Sequence, residues 1–171
     1  LYFYNKKWDK DKDKKLAIGK MIKSYNGLAS MIVDDIVMNS QEEKHQMRIF
    51  DFYSRVAQEC VRTGDFQSGA AIFGALNNSA VSRFKFLMEQ PGLAKIHEEL
   101  NVVFSPLKAN KGLREEIAQK KEAGVSVIPW VGIPMQDMFA TEETPTEPTS
   151  EDKLKNISAA MSTIFEAQNM A

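Results

Sequence analysis

The stretch that decides the fold is AQECVRTGDFQSGAAIFGALNNSAVSRFK, residues 57–85. Its first residues are the end of an amphipathic run that begins near Met47. In this run apolar side chains recur at spacings of three and four residues, as on one face of an α-helix. Gly64 then supplies a helix stop signal. The residues that follow, 66–76, are small and apolar. The stretch therefore predicts two consecutive helices, the second packed closely on several sides.

The segments downstream extend this pattern. Asn77-Asn78-Ser79 ends the small-residue helix, and Ser79 can cap a further helix over residues 79–87. Amphipathic runs predict helices over 93–103, 113–123 and 154–165, and helical spacing resumes over 135–139. Residues 125–132 have the composition of a strand, but Pro129 and the isolation of the segment favour an extended, buried connector. Residues 141–152 are acidic and rich in Pro and Thr, which predicts a mobile loop.

Upstream, apolar residues recur over 16–38 with a period close to 3.6, so a helix is expected there with a break at Gly27. Ser40 and Glu43 form a capping-box pattern for the helix that ends at Gly64. Residues 9–15 alternate in sign and favour a solvated loop or helix start. The fold class is therefore all-α, with about eight helices.

Composition excludes several functional classes. The 171 residues carry 22 basic and 23 acidic side chains, a net charge of -1, which argues against nucleic-acid binding. No apolar run is long enough for a transmembrane helix, and residues 1–8 lack the order of charged, apolar and small residues that is typical of a signal peptide, so a cytoplasmic location is expected. Cys60, the single cysteine, falls on an apolar stripe and is expected to be a packed core residue. His45 and His97 are expected at the surface.

Motifs for covalent chemistry are absent from the sequence. There is no GxxxxGK[ST], HExxH, GxSxG or CxxC motif. Glu142 and Glu143 are adjacent, so a helix would point their side chains about 100° apart, and they are not placed as a pair of carboxylates for acid/base catalysis. No metal site and no cofactor are therefore expected. Taken alone, these residues predict a helical domain whose work is binding.

Two blocks of motifs carry a resemblance to a known family. Ala57, Cys60, Phe66 and Ser68, followed by the run from Ala75 to Lys85, resemble the pattern A-x-x-C-x5-F-x-S and L-N-S-x-x-V-x-R-L-k of the catalytic domain of Ras-type guanine-nucleotide exchange factors. Residues 127–143 resemble its second block, P-[FY]-[FL]-G with a following E-E. Further conserved motifs of the family are resembled by Trp8, Tyr25-Asn26 and Leu154 to Ile157. The similarity therefore covers nearly the whole chain in the correct order.

The resemblance implies an irregular multi-helix domain with a protruding helical hairpin at about 133–170. Residues 1–171 would form the core of the catalytic domain, with flanks outside this chain on both sides. The family catalyses nucleotide release without covalent chemistry: the hairpin inserts beside the nucleotide site of a Ras-family small GTPase (Ras, Rap or Ral type) and promotes GDP release. Recruitment to membranes would come from flanking regions or from the lipidated GTPase.

The resemblance also implies site residues. Phe139, Glu143 and Gln136 on the hairpin would act on the nucleotide site. Residues that would contact the GTPase are Trp130, Asn77, Ser82 and Ala140. Residues that would order the motifs are Arg83, Gly132, Asp137 and Asn156.

Structural alternatives stay open for these residues. Trp130 could be core, Asn77 a helix C-cap, Phe139 a packed face residue and Glu143 a solvated acid, while Arg83 is expected to order the fold. Bulky Phe139, Ala140 and Thr144 depart from the family pattern. The alternative function is therefore a degenerate module of this type, which binds a GTPase or another protein without exchange activity.

Overall fold

The computed structural model describes residues 15–38, 42–143 and 151–169, without the side chains of residues 15–18, 21, 142 and 164–169. Eight helices cover most of these residues: α1 (Lys15–Val37), α2 (Glu43–Thr63), α3 (Phe66–Leu76), α4 (Ser79–Ser82), α5 (Pro91–Phe104), α6 (Leu107–Glu122), α7 (Gly132–Glu143) and α8 (Glu151–Asn169). A 3₁₀ turn, Lys85–Leu87, lies between α4 and α5. Within the described ranges the β-structure is one isolated bridge between Asp65 and Ile128. The all-α prediction is confirmed.

The chain forms two compact units. One comprises residues 24–128, and the other comprises the described residues among 1–23 and 129–171. The larger unit holds an apolar core to which five helices and the 3₁₀ turn contribute. Its buried members are Ile32, Ile36, Phe50, Ala57, Ile72, Phe73, Ala75, Leu76, Val81, Leu87, Leu93, Ile96 and Leu100.

Helix α1 runs through Gly27 without interruption, so the predicted break is wrong. Glycine in a helix interior costs about 1 kcal/mol relative to alanine. The burial of Ile32 and Ile36 on the same helix outweighs this cost, because fully burying each such side chain stabilises the fold by about 1.5–3 kcal/mol. The buried Gln46 side chain donates a hydrogen bond to the Ile36 carbonyl at 3.1 Å, which gives this carbonyl near the C-terminal end of α1 a hydrogen-bond partner.

The turn between α2 and α3 follows the sequence prediction. Gly64 adopts φ +87°, and the backbone N–H of Asp65 donates to the Cys60 carbonyl at 2.9 Å. The Asp65 carboxylate caps α3 by accepting from the Ser68 N–H at 3.0 Å. A Cβ at Gly64 would lie 2.5 Å from the Ser126 carbonyl oxygen, so the position requires glycine for space as well as for its positive φ.

Residues 125–128, the first half of the connector expected over 125–132, lie beside this turn, and Gly132 at the other end of that range already belongs to α7. The Ile128 N–H donates to the Gly64 carbonyl at 2.8 Å, and the Ile128 carbonyl accepts from the Phe66 N–H at 2.9 Å. Val127 is buried, whereas Ile128 is 54% exposed, so only part of the segment is covered.

The helix predicted over 79–87 is divided. Asn78, rather than Ser79, is the N-cap of α4, accepting from the Ala80 N–H at 2.9 Å. Phe84 leaves the helical region with ψ 76°, so α4 ends after one turn and the 3₁₀ turn follows.

Several element boundaries also differ from the predicted ones. The loop prediction over 141–152 is wrong at both ends, because α7 continues to Glu143 and α8 begins at Glu151, and its middle part, 144–150, lies outside the described residues. The capping box predicted for Ser40 and Glu43 is wrong, because the N-cap of α2 is Glu42 and Glu43 is the first helical residue. The predicted features at Trp8, residues 9–14 and Thr144 lie outside the described residues.

Candidate functional site

Helix α7 presents three of the predicted hairpin residues on one exposed face. Gln136, Ala140 and Glu143 are all exposed and follow one another at spacings of four and three residues, which places them on one side of a helix. Phe139 borders this face and is half-buried. We call the four residues the α7 face.

The opposite side of α7 is buried. Pro134, Met138 and Thr141 recur at helical spacing and are buried, and the Thr141 hydroxyl donates to the Asp137 carbonyl at 2.7 Å. Helix α8 packs against α7. One side of α7 is therefore buried and the other is exposed.

The buried side of α8 agrees with the predicted stripe at Ile157 and Ala160 but differs at its first position. Lys153 and Ala160 are buried and Ile157 is half-buried, while Leu154 is 48% exposed. Asn156, which the resemblance gave a structural role, is exposed, and Asp137 on α7 is half-buried.

Trp130 precedes α7 and is half-buried against Gly132. A Cβ at Gly132 would lie 2.4 Å from Cζ2 of the indole, so the ring lies directly over the glycine. The Trp130 carbonyl accepts from the Ile133 N–H at 3.1 Å in the first turn of α7. Gly132 thus acts by leaving room for the indole, and this contact fixes the ring at the start of the α7 helix.

The remaining predicted residues belong to the other compact unit. Asn77 ends α3 with an exposed side chain, and its Nδ2 donates to the Phe73 carbonyl at 2.9 Å, as a C-cap residue does. Ser82 and Arg83 are exposed at the end of α4, and the Ser82 hydroxyl donates to the Ser79 carbonyl at 3.4 Å.

His97 is the residue of this region that sequence reasoning missed. It was expected at the surface but is half-buried, with Nε2 3.0 Å from Oδ1 of Asn77 and its ring centroid 5.3 Å from that of Phe73. Burial lowers the pKa of His97 below its ordinary value. The available signal was its position beside Ile96 and three residues before Leu100, at the edge of the apolar stripe of α5.

The site offers binding groups rather than reactive ones. Burial, followed by the charges of Asp65 and Glu59, raises the pKa of the half-buried Cys60 thiol and disfavours its nucleophilic thiolate. In the part of the chain that the structure describes, no three His, Cys, Asp or Glu side chains cluster as metal ligands. The described helices include none long and apolar enough to cross a bilayer.

Comparisons with known proteins identify the family of the chain. The family model of the RasGEF domain matches residues 2–161. The chain is 26% identical to Ras guanine nucleotide exchange factor D of Dictyostelium discoideum over 125 residues, 72% of this chain and 18% of that protein. It is 33% identical over 75 residues to Ras-GEF domain-containing family member 1B of Xenopus tropicalis, covering 44% of this chain and 16% of that protein.

A human relative gives a similar match. Ras-GEF domain-containing family member 1C of Homo sapiens is 33% identical over 73 residues, 43% of this chain and 16% of that protein. The chain thus spans less than a fifth of the length of each of these three relatives. Because the family model extends over nearly all of its residues, the chain belongs to the RasGEF domain family.

Proposed function

We propose that this chain promotes GDP release from a Ras-family small GTPase by inserting the α7–α8 hairpin beside the nucleotide site. The observation that carries the proposal is the α7 face: Gln136, Ala140 and Glu143 are exposed together, with Phe139 at their border, while the other side of α7 is buried. The names of the relatives, which include a Ras guanine nucleotide exchange factor, support the same function.

The chemistry of the α7 face suits displacement of a metal-bound nucleotide. Mg²⁺ is bound by oxygen ligands, and the phenyl ring of Phe139 supplies none, so its entry into the metal site excludes the ion. The Glu143 carboxylate competes for the N–H donors that hold a phosphate group. Neither step forms or breaks a covalent bond.

Each compact unit offers further proposed contacts for the GTPase, Trp130 in one and Asn77 in the other. The indole provides a rigid apolar surface with one N–H donor, which is typical of interface anchors. Asn77 and Ser82 provide exposed polar groups for the backbone of the GTPase's second switch segment. Gln136 and Ala140 extend the contact along α7.

A second candidate function is binding without exchange. The half-burial of Phe139 favours it, because a phenyl ring that is partly covered by its own domain has less surface to place in the metal site. The two functions differ in one measurable quantity, which is the rate of nucleotide release by the bound GTPase.

Release of a fluorescent GDP from purified Ras, Rap and Ral proteins tests the proposal. We expect the full chain to accelerate release from at least one of them, and Glu143→Ala and Trp130→Ala to lower the acceleration by about tenfold or more. Glu122→Ala is the matched control, because Glu122 is also an exposed acid at the last position of a helix. Binding with no acceleration would establish the second candidate instead.

A further inference from the structure

The Asn77 side chain is held in one orientation by two neighbours. Its Nδ2 donates to the Phe73 carbonyl at 2.9 Å, and its Oδ1 lies 3.0 Å from Nε2 of His97. The first bond fixes which end of the carboxamide faces the imidazole, because only nitrogen can donate to a carbonyl. Oδ1 therefore accepts from His97, which assigns a hydrogen to Nε2 of the ring.

His97 is itself fixed by packing between α3 and α5. Gly69, Phe73 and Asn77 share one side of α3 at spacings of four residues, and His97 and Phe104 share one side of α5 at a spacing of seven. The Phe73 ring lies between the two α5 rings, with centroids 5.3 Å from His97 and 5.6 Å from Phe104. A Cβ at Gly69 would lie 2.9 Å from Phe104, so the glycine permits this close approach.

The held carboxamide keeps free hydrogen-bonding capacity. An asparagine side chain has two N–H donors and two acceptor positions, and the two bonds described use one of each. Asn77 is exposed at the end of α3, so one donor and one acceptor remain for a partner. A peptide backbone offers the complementary pair, one acceptor and one donor per residue.

From this geometry we infer that His97 is a positioning residue, which holds the Asn77 carboxamide in the orientation that meets the peptide backbone of the bound GTPase. The inference rests on the proposed function and extends it to a residue outside the contact surface. Its physical basis is preorganisation: a side chain that is already ordered loses less conformational entropy when the complex forms.

Variants of His97 separate positioning from simple packing. His97→Phe keeps an aromatic ring beside Phe73 but removes the N–H, and His97→Gln removes the ring but restores an N–H donor near the position of Nε2. We expect the KM for the GTPase to rise about two- to tenfold in His97→Phe, with little change in kcat, and to recover in His97→Gln. His45→Phe, at the other histidine and exposed on α2, is the control.

Two further measurements make the outcome decisive. In an Asn77→Ala background, His97→Phe should have no added effect on KM, because a positioning residue acts through the residue that it holds. Nitrogen NMR of the free chain should show the Nε2–H form of the His97 ring, whether or not a GTPase responds.

Contrary results are equally specific. A KM that follows ring packing, with Phe like the wild type and Gln defective, would overturn the inference while leaving the proposed function intact. An Nδ1–H tautomer of His97 would also overturn it. Absence of GTPase binding by the wild-type chain would overturn both, and the NMR spectrum would then show whether the Asn77–His97 bond itself exists.

Discussion

Individual side chains in this protein are placed by contacts that leave little room for change. The Trp130 indole lies over Gly132, where an added Cβ would come within 2.4–2.6 Å of three ring atoms. Tyr53 donates to the Asp35 carboxylate at 2.5 Å and ties α2 to α1. The first contact orients a proposed GTPase-binding residue, and the second belongs to the packing of the larger unit.

Gly132→Ala should displace the Trp130 indole. The overlap with the added methyl cannot be relieved without moving the ring, and overpacking of this kind costs about 1–3 kcal/mol. We expect a shifted Trp130 emission spectrum, measured with Trp8 replaced by Phe, together with lower exchange activity. Unchanged emission and unchanged stability would show that the indole does not occupy this position.

Tyr53→Phe should remove an alkaline component of stability. Burial, then the hydrogen bond and charge of Asp35, raise the pKa of Tyr53 to about 12 from 10.0. A raised folded-state pKa contributes stability that is present below pH 10 and lost as the pH rises from 10 towards 12. Urea unfolding at several pH values should therefore show a steeper alkaline loss in the wild type than in the variant. Parallel profiles would contradict the Asp35 interaction.

Helices in this chain differ in how closely their neighbours approach. A Cβ at Gly112 on α6 would lie 2.0 Å from the Val102 carbonyl of α5, whereas a Cβ at Gly27 on α1 would meet no atom within 4 Å. Just before Gly112, residues 108–110 have φ of 51–60°, and the Arg114 side chain donates to the Ala109 carbonyl at 2.8 Å. The α5–α6 contact is therefore specified by backbone proximity as well as by apolar packing.

Alanine at these two glycines should have opposite effects on stability. Gly27→Ala should stabilise the chain by about 0.5–1 kcal/mol, because alanine loses less backbone entropy in a helix. Gly112→Ala should destabilise it by about 1–3 kcal/mol or more, because two backbones would have to separate. Chemical denaturation of both variants measures the difference, and a shift of the same sign in both would contradict the α5–α6 geometry.

For the chain as a unit of function, the proposal requires unequal affinity for the states of the GTPase. A catalyst of nucleotide release must bind the nucleotide-free form more tightly than the GDP-bound form. By linkage, GDP affinity falls in the complex by the same factor. The Glu143 carboxylate and the Phe139 ring are the groups proposed to create this difference.

We expect the chain to bind nucleotide-free GTPase at least about tenfold more tightly than GDP-bound GTPase. This ratio corresponds to a difference in binding free energy of about 1.4 kcal/mol. Titrations of the chain with nucleotide-free and with GDP-loaded GTPase give the ratio of the two affinities directly. Glu143→Ala should reduce this ratio. Equal affinities in the two states would exclude the exchange function and leave the binding-module alternative.

Local features of the sequence predicted most of the helices. The 3.6-residue repeats, the Gly64 stop and the Pro-containing connector act through neighbouring backbone, so they could be predicted without knowledge of the rest of the chain. The common face of Gln136, Ala140 and Glu143 follows in the same way, since helical spacing alone places residues three and four apart together. Gly27 was one exception, because the burial of Ile32 and Ile36 on the same helix outweighed the low helix propensity of glycine.

Contacts between distant segments were decided only by the tertiary structure. At the start of α8 the predicted stripe residue Leu154 is 48% exposed while its neighbour Lys153 is buried, so the sequence period alone did not identify the buried position there. The His97–Asn77 bond joins residues twenty positions apart on different helices, and no local period encodes such a pairing. The sequence alone thus determined most of the helices, because their signals are local, whereas the approach of one helix to another decided interhelical contacts such as the His97–Asn77 bond.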